Sequence, residues 1–176
     1  MRKLTVEELH RMSVEEFKTA EKLPVVMVLD NIRSLHNVGS VLRTADAFRL
    51  AGVCMCGITA CPPMPEIHKT ALGAEDSVAW WYEEDTLAAV EKLKAEGYTV
   101  LAVEQVEGSR MLDTLMLDTH QRYALVMGNE VKGVQQAVVD ACDQALEIPQ
   151  YGTKHSMNVS VTAGIVMWEV ERVNGK

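Results

Sequence analysis

The sequence lacks an excess of positive charge, the feature that marks most proteins that bind nucleic acid without sequence preference. Its 176 residues carry 17 Lys and Arg against 25 Asp and Glu, a formal net charge of -8. Because such binding depends on cations that neutralise phosphates, the composition excludes a general polycationic binder but permits a local basic site. Residues 81–120 hold 9 acidic and 3 basic side chains and so carry six of the eight excess charges.

Long apolar runs are also missing. No segment reaches the roughly 18 consecutive apolar residues of a membrane-spanning helix. The first residues, Met1–Glu8, lack the apolar segment of a secretion signal. We therefore expect a cytoplasmic protein without a membrane partner.

Cysteines are few, namely Cys54, Cys56, Cys61 and Cys142. The C-x-C-x4-C spacing of the first three lacks the paired C-x2-C of a zinc ribbon. Cys54 and Cys56 also point to the same side of an apolar strand, since side chains alternate along a strand. The pattern predicts buried reduced thiols and no metal site.

Three common catalytic signatures are absent. There is no G-x-G-x-x-G dinucleotide motif, and the G-x4-G of residues 128–133 is followed by Val134 and Gln135 where a phosphate loop needs Lys and Ser or Thr. No G-x-S-x-G elbow accompanies His155 and Ser156, so a hydrolase interpretation of that pair is disfavoured. An unrelated nucleotide-binding protein or α/β hydrolase is therefore a disfavoured alternative.

What is present is an alternation of apolar strands and helices. Two capping boxes, Thr5–Glu8 and Ser13–Glu16, predict short helices in an N-terminal arm of residues 1–23. The domain of residues 24–176 follows, and its alternation predicts an α/β fold with a mostly parallel sheet covered by helices on both faces. The pattern places strands at 25–29, 53–58, 77–82, 98–103, 123–127 and 145–148, and helices at 37–50, 66–72, 85–96, 134–142 and 158–173.

Three loops that follow strands are rich in Gly, Asn and Ser, and ligands of open α/β sheets bind at such loops. In the loop of residues 30–44, Asn37 can cap the next helix and Gly39 permits a close backbone approach. Arg43, further along that helix, faces either solvent or an anion in a pocket.

The other two loops carry one carboxylate and two capping candidates. Glu130, in residues 128–133, is either a helix-start carboxylate or a fixed acceptor for a ligand or a neighbouring arginine. In residues 148–164, Ser156 or Asn158 can cap the last helix.

That last helix is apolar on nearly all sides, which predicts burial, and at a chain end such burial often involves another subunit. The residues concerned are Val159, Val161, Ala163, Ile165, Val166, Met167 and Trp168.

Taken in order, the three loops resemble the SpoU (TrmH-like) family of RNA 2'-O-ribose methyltransferases, in the SPOUT superfamily. The family's N-x-G-x-x-x-R-T motif is matched by Asn37, Gly39, Arg43 and Thr44, and its G-N-E motif by Gly128, Asn129 and Glu130. The third motif, I-P-x-x-G-x3-S-x-N-V-S-x-x-A-G, is matched by Ile148, Pro149, Gly152, Ser156, Asn158, Val159, Ser160, Ala163 and Gly164. The likeness covers residues 25–173, and its departures are mild, with Gln150 and Met157 where Met and Leu are usual.

The resemblance implies a C-terminal deep trefoil knot, a feature otherwise nearly absent from proteins. It implies a homodimer packed through the terminal helix, and S-adenosylmethionine held in the knotted loops. When the family's cofactor contacts are transferred to this sequence, the resemblance implies that these residues touch the cofactor: Val103, Glu104, Gln105, Gly128, Ile148, Gln150 and Met157.

The resemblance also implies a catalytic set. Arg43, reaching from the partner subunit, anchors the RNA phosphate and stabilises the alkoxide that develops on the ribose, with deprotonation concerted. Asn37, Glu130, Ser156 and Asn158 hold Arg43, ribose and cofactor in register.

The expected substrate is structured RNA, with transfer RNA favoured over ribosomal RNA because minimal relatives modify transfer RNA. Arg33, Arg43, Lys132 and Lys154 would form a small basic site for it. The alternative is a non-catalytic RNA-binding protein that kept the fold.

Overall fold

The computed structural model describes residues 1–174, which form one seven-stranded sheet with helices on both faces. The strands are β1 Leu23–Asp30, β2 Leu50–Cys56, β3 Trp80–Glu83, β4 Tyr98–Val103, β5 Arg110–Met111, β6 Arg122–Met127 and β7 Gln144–Glu147. The helices are α1 Val14–Thr19, α2 Leu35–Ala47, α3 Pro65–Ala71, α4 Ala74–Ser77, α5 Thr86–Ala95, α6 Gln136–Ala141 and α7 Val159–Asn174. Two 3-10 turns, Glu7–Leu9 and Leu112–Thr114, complete the chain.

The strands lie in the order β3-β2-β1-β6-β4-β7-β5, and each neighbouring pair in it is parallel. The predicted class, an α/β fold with a mostly parallel sheet, is confirmed. The order reverses direction at β1, which lies between β2 and β6. In such sheets, a crevice forms where the order reverses and the loops at the carboxyl ends diverge.

Each face of the sheet carries its own apolar core, because alternate strand residues point to opposite faces. Val25, Met27 and Leu29 of β1 pack with α2, α3 and α7, whereas Val26 and Val28 pack with α5 and α6. Burial on both faces explains why the strands are apolar runs and not alternating patterns.

The N-terminal arm contains both predicted capping boxes. Thr5 N–H donates to Glu8 Oε2 at 2.8 Å, and Ser13 N–H donates to Glu16 Oε2 at 2.7 Å. Phe17 of α1 is buried in the core, so this part of the arm packs on the domain. The predicted domain extends to residue 176, and its last two residues lie outside the described range.

Two predictions of secondary structure are wrong in detail, and one short strand has no counterpart among the predictions. Leu50 belongs to β2 and not to the preceding helix, because α2 ends at Ala47 and the left-handed conformation of Arg49 (φ 50°) turns the chain into the strand. The segment predicted as a strand at 77–82 begins with the end of α4, where the Ser77 hydroxyl donates to Asp46 Oδ1 at 2.5 Å. Strand β5 and its 3-10 turn lack a predictive pattern, since β5 has only two residues, both exposed.

The cysteine prediction is confirmed for the strand pair. Cys54 and Cys56 are buried and reduced, with their sulfur atoms 3.6 Å apart on one side of β2. Burial raises the pKa of the Cys142 thiol to about 12, with a smaller contribution from Asp143. Within residues 1–174, no cluster of His, Cys, Asp and Glu suits a metal ion. No helix in that range is long and apolar enough to cross a membrane.

Candidate functional site

A cavity of about 450 Å³ opens at the carboxyl ends of β4, β6 and β7. Its walls come from the loops that follow these strands, at residues 103–106, 127–134, 146–148, 150 and 155–157, with side chains of α6 and α7 behind them. All seven residues that the sequence assigns to the cofactor line it, namely Val103, Glu104, Gln105, Gly128, Ile148, Gln150 and Met157. The structure thus gathers at one edge residues from three segments that are separate in the sequence.

The shape of the loop after β6 requires glycine at two positions. Asn129 and Gly133 exchange backbone hydrogen bonds of 3.0 and 2.9 Å, which folds the loop tightly back on itself. A Cβ atom at Gly128 would lie 2.2 Å from the carbonyl carbon of Gly133. Gly133 has a φ of +68°, and a Cβ there would lie 2.2 Å from Glu104 Oε2.

Two carboxylates bind the end of this loop, and each of them lies at the end of a strand that neighbours β6. Glu104 Oε2 accepts the Val134 N–H at 2.9 Å. Asp30, fully buried at the end of β1, accepts the Gln135 N–H at 3.0 Å and the Gln135 side-chain amide at 2.8 Å. The hydroxyl of Thr86 donates to the same carboxylate at 2.7 Å. Because a buried carboxylate is costly unless it is hydrogen-bonded, these donors fix where α6 begins.

A chain of hydrogen bonds connects Glu130, Asn37 and Asn158, three of the predicted catalytic residues. Glu130 Oε1 accepts the Asn37 side-chain amide at 3.0 Å, and Asn37 Oδ1 accepts the Asn158 amide at 3.2 Å. Glu130 also accepts the backbone N–H groups of Arg33 at 2.9 Å and Ser34 at 3.0 Å. The network therefore ties the loop after β6 to the start of α2 and to the start of α7.

This network corrects two sequence interpretations. The cap of α2 is Ser34, whose hydroxyl accepts the Asn37 N–H at 3.3 Å, so Asn37 is in the first turn and its side chain is free to bridge Glu130 and Asn158. Glu130 is an acceptor, but for the backbone of Arg33 and not for an arginine side chain. Of the two candidate caps for α7, Asn158 takes the role, with Oδ1 accepting the Ser160 N–H at 2.9 Å.

The pKa of Glu130 reflects opposed effects. Partial burial acts to raise it, but the hydrogen bonds from the Arg33 N–H and the Asn37 amide outweigh burial and lower the pKa below the usual value of a glutamate. The residue is therefore a fixed anion at neutral pH. A carboxylate with its acceptor sites directed at backbone and amide donors is suited to holding loops and not to abstracting a proton.

Some of the remaining predicted residues line the cavity and others do not. Ser156 and Lys132 line it, as does Glu130. Arg33 and Lys154 are exposed on the adjoining loops. Arg43 is exposed on α2, is not part of the cavity wall, and makes no hydrogen bond or ion pair within residues 1–174.

Gly39 of the first motif has a packing role. A Cβ at this position would lie 2.1 Å from Thr70 Oγ1 and 2.3 Å from the carbonyl oxygen of Ile67, so glycine lets α2 and α3 cross closely. The predicted close backbone approach is confirmed, and it is an approach to another helix.

Sequence reasoning missed the roles of Asp30, Asn129 and Gln135. The Asn129 amide donates to the Asn31 carbonyl at 2.7 Å and so joins the loops after β1 and β6. A polar residue at or just past the end of an apolar strand is the available signal for Asp30 and Asn129. Their partners, about 100 residues away in the sequence, were not readable from any local pattern.

Helix α7 is buried on one side only. Ala163, Val166, Met167 and Val170 are buried in the core, whereas Val161, Ile165 and Trp168 are exposed to 55%, 38% and 56%. These three residues recur at intervals of four and three and so form one stripe on the helix surface. We refer to Val161, Ile165 and Trp168 as the α7 stripe.

The cavity combines apolar walls with three glutamates and one lysine, Lys132. Val103, Met127, Leu146 and Ile148 provide apolar surface for a flat ring, and Glu104, Glu130 and Glu147 place carboxylates around it. The volume falls within the range of about 300–1,000 Å³ typical of small-molecule sites. The arrangement suits a ligand that has an aromatic ring and positive charge.

Comparison with known families identifies the chain. The model of the SpoU rRNA methylase family matches residues 24–168. A Staphylococcus aureus (strain MSSA476) protein named as a TrmH family tRNA/rRNA methyltransferase is 31% identical over 159 residues, which cover 90% of this chain and 63% of that protein. The chain thus spans less than two thirds of the length of this relative.

Solved structures show the same fold. The A. aeolicus TrmH/SpoU tRNA modifying enzyme superposes with a TM-score of 0.80 at 24% identity, over 92% of this chain and 81% of that one. The AdoMet-bound rRNA methyltransferase from Sinorhizobium meliloti has a TM-score of 0.78 at 27% identity, over 86% of this chain and 57% of that one.

Proposed function

The chain belongs to the SpoU rRNA methylase family, and from that premise we propose that it is an RNA methyltransferase that uses S-adenosylmethionine and modifies a ribose 2'-hydroxyl. The observation that carries the proposal is the 450 Å³ cavity, which all three sequence motifs border or brace. The AdoMet-bound relative from Sinorhizobium meliloti supports the choice of cofactor.

The cavity suits S-adenosylmethionine by size and by charge. Val103, Met127 and Ile148 would offer apolar surface to the adenine ring. The carboxylates of Glu104 and Glu147 would attract the positively charged sulfonium and ammonium groups. When bound, the cofactor supplies a methyl group that is already electrophilic. The task of the protein is then to position the ribose hydroxyl in line with that methyl. Positioning of this kind can lower the activation barrier by about 7–11 kcal/mol.

We propose that Arg43 serves this step from the partner subunit. Because an arginine side chain stays protonated, its role would be to anchor the RNA phosphate and stabilise charge on the ribose oxygen, while the hydroxyl proton is lost to solvent as the methyl group is transferred. The Glu130–Asn37–Asn158 network would hold the loops that receive the ribose, and Ser156 would contact it from the cavity wall.

The homodimer belongs to the same proposal. Arg43 lies on α2 away from the cavity of its own chain, and α7 packs against α2. A second copy packed on the α7 stripe would cover its exposed apolar side chains and bring another α2 to the site.

The knot is also proposed. The connection from β4 to β6 passes outward to β5, beyond β7 at the sheet edge, and then returns. After β7 the chain comes back to pack α7 against α2 and against the 3-10 turn Leu112–Thr114 of that connection. We infer that the segment after β7 threads through the loop formed by residues 104–121.

A methyl-transfer assay tests the function. The purified protein is incubated with methyl-labelled S-adenosylmethionine and with transfer RNA or ribosomal RNA from a strain that lacks the gene. We expect label in transfer RNA, recovered after alkaline hydrolysis as a resistant dinucleotide, because a 2'-O-methyl group blocks cleavage at that position. Label confined to bases would contradict the ribose assignment, and label confined to ribosomal RNA would contradict the substrate.

The rival function is RNA binding without catalysis. Isothermal titration of the protein with S-adenosylmethionine separates the two, since a binding protein has no need of the cofactor. RNA binding in the absence of cofactor binding would favour the rival.

A further inference from the structure

Tyr151 is the most exposed aromatic residue of the protein. Its exposure is 96%, against 56% for Trp168 and 48% for Tyr82. Its hydroxyl makes no hydrogen bond within residues 1–174. An aromatic ring stabilises the folded state by removing apolar surface from water, and an exposed ring removes almost none. Folding stability therefore does not explain why a tyrosine stands at this position.

The loop that carries Tyr151 is held at both ends. On one side Gln150 is half-buried and lines the cavity. On the other side the Gln105 amide donates to the His155 carbonyl at 2.9 Å, which fastens this loop to the loop after β4. Tyr151 lies between these two attachments but is not itself part of the cavity wall. Tyr151 therefore belongs to an exposed loop segment whose two ends, Gln150 and His155, line the cavity.

The neighbours of Tyr151 suit a nucleic acid. Lys154 and His155, in the same loop, are exposed and lie within four residues of the ring. Proteins that recognise unpaired RNA bases stack them on aromatic side chains while nearby cations contact phosphates.

We propose that Tyr151 stacks on an RNA base at or next to the nucleotide whose ribose enters the cavity, and that it thereby contributes to substrate selection. The inference rests on the proposed function for its substrate class. It concerns RNA and not the cofactor, because Tyr151 lies outside the cavity wall that would hold S-adenosylmethionine.

The test compares Tyr151→Ala with Tyr151→Phe in the full-length protein. The affinity for fluorescent transfer RNA is measured by anisotropy, the affinity for S-adenosylmethionine by calorimetry, and the KM for RNA and kcat by methylation. We expect Tyr151→Ala to weaken RNA binding and raise the KM for RNA by about 5- to 150-fold, the range that corresponds to the loss of one stacked base. Tyr151→Phe should stay close to wild type, and neither variant should change cofactor affinity.

Tyr82→Ala is the control for loss of an exposed tyrosine ring remote from the cavity, because Tyr82 lies on β3 at the opposite edge of the sheet, where its hydroxyl donates to the Gly57 carbonyl at 2.9 Å. The inference is overturned if Tyr151→Ala leaves RNA affinity unchanged, if the Phe variant is equally impaired, or if cofactor affinity falls in parallel. A shift of Tyr151→Ala from dimer to monomer in sedimentation would assign the ring to a subunit contact instead.

The outcomes also separate this inference from the proposed function. If the wild type methylates RNA and Tyr151→Ala does so equally well, only the role of Tyr151 fails. If RNA binding depends on Tyr151 but no methyl group is transferred, the enzymatic function fails and the stacking role stands.

Discussion

The carboxylate of Glu130 joins parts of the chain that lie almost 100 residues apart. It accepts hydrogen bonds from Arg33, Ser34 and Asn37, all at the start of α2. Such charge-assisted bonds are stronger than neutral ones, and they hold the carboxylate in its ionised form. The same side chain that family resemblance assigns to catalysis therefore also stabilises the folded site.

Replacing Glu130 by Gln should reveal this contribution as a dependence on pH. The pKa in the folded state is lowered, so the stabilisation is present above the ordinary carboxyl pKa of about 4.3 and is lost as pH falls through the folded value. We expect the melting temperature of wild type to exceed that of Glu130→Gln at pH 7, and the difference to shrink below about pH 4.3. Thermal unfolding followed by circular dichroism from pH 7 to pH 3 measures it.

Glu107→Gln is the control for this experiment, since Glu107 is exposed and makes no hydrogen bond in the described chain. A difference between wild type and Glu130→Gln that stays constant across the pH range would contradict the role of the ionised carboxylate.

Arg43 differs from Glu130 because it has no partner within the described residues. Replacing it by Ala should leave stability within about 0.5 kcal/mol, as for other surface positions. Cofactor affinity should also be unchanged, whereas methyl transfer should fall by about 100-fold or more if Arg43 stabilises charge on the ribose oxygen. Calorimetry and the methylation assay give the two quantities.

Lys18→Ala is the control, because it also removes an exposed positive charge but lies on α1, and methyl transfer by this variant should match the wild type. Turnover by Arg43→Ala at the wild-type rate would remove Arg43 from the mechanism.

At the scale of whole elements, the positions of the helices depend on small contacts that the sequence pattern does not display. Gly39 lets α2 approach α3, and Ser77 attaches α4 to Asp46 of α2. Helix α7 then packs against the other side of α2, with Trp168 and Phe48 rings 6.1 Å apart. Helix α2 thus connects the site network at its start to the α7 stripe near its end.

The α7 stripe should act as a subunit interface. A glutamate at Val161, which is 55% exposed, would place a charge within a desolvated apolar contact. We expect Val161→Glu to weaken self-association by about 30-fold, corresponding to about 2 kcal/mol for a central interface residue. Sedimentation equilibrium measures the dissociation constant, and circular dichroism verifies that the variant is folded.

Ile58→Glu is the matched control, because Ile58 is 65% exposed but lies in the loop after β2. A wild-type protein that remains monomeric at all concentrations would contradict the homodimer, and an unchanged dissociation constant for Val161→Glu would contradict this interface.

The whole molecule is acidic, but its charge is unevenly distributed. Six of the eight excess negative charges fall in residues 81–120, which include most of β3 and all of α5 and β4. Arg33, Lys132 and Lys154 are exposed on the loops around the cavity. The global charge therefore limits non-specific binding, while the loops around the cavity offer cations to phosphates.

The salt dependence of RNA binding should report on these cations. Four phosphate contacts, from these three residues and Arg43, predict a slope of about -3 to -4 for the logarithm of affinity against the logarithm of salt concentration. Replacing Arg33, Lys132 and Lys154 together by Gln should reduce its magnitude by about 2 to 3. Anisotropy titrations over a range of potassium chloride concentrations measure the slope.

Lys92→Gln is the control, since Lys92 is paired with Glu83 at 2.6 Å in the acidic segment. An unchanged slope in the triple variant would show that the loop cations do not contact phosphates.

Much of the fold follows from the sequence. The apolar runs of β4 and β6 and the helical period of α5 were placed within one residue of their observed bounds. The short strand β5 and the helix α4 were missed, because two and four residues are too few to form a period. The cavity residues were placed through family motifs, since no local pattern shows that Val103, Gly128 and Ile148 meet.

The sequence by itself determined the α/β class, the loops that carry polar residues and the family, because each depends on residue order and spacing. Only the tertiary structure decided which groups meet. It showed that Asn37 bridges Glu130 and Asn158, that Asp30 fixes the start of α6, and that Tyr151 is exposed beside the cavity. The physical reason is that these contacts join segments about 100 residues apart, and a parallel sheet brings such segments together at one edge.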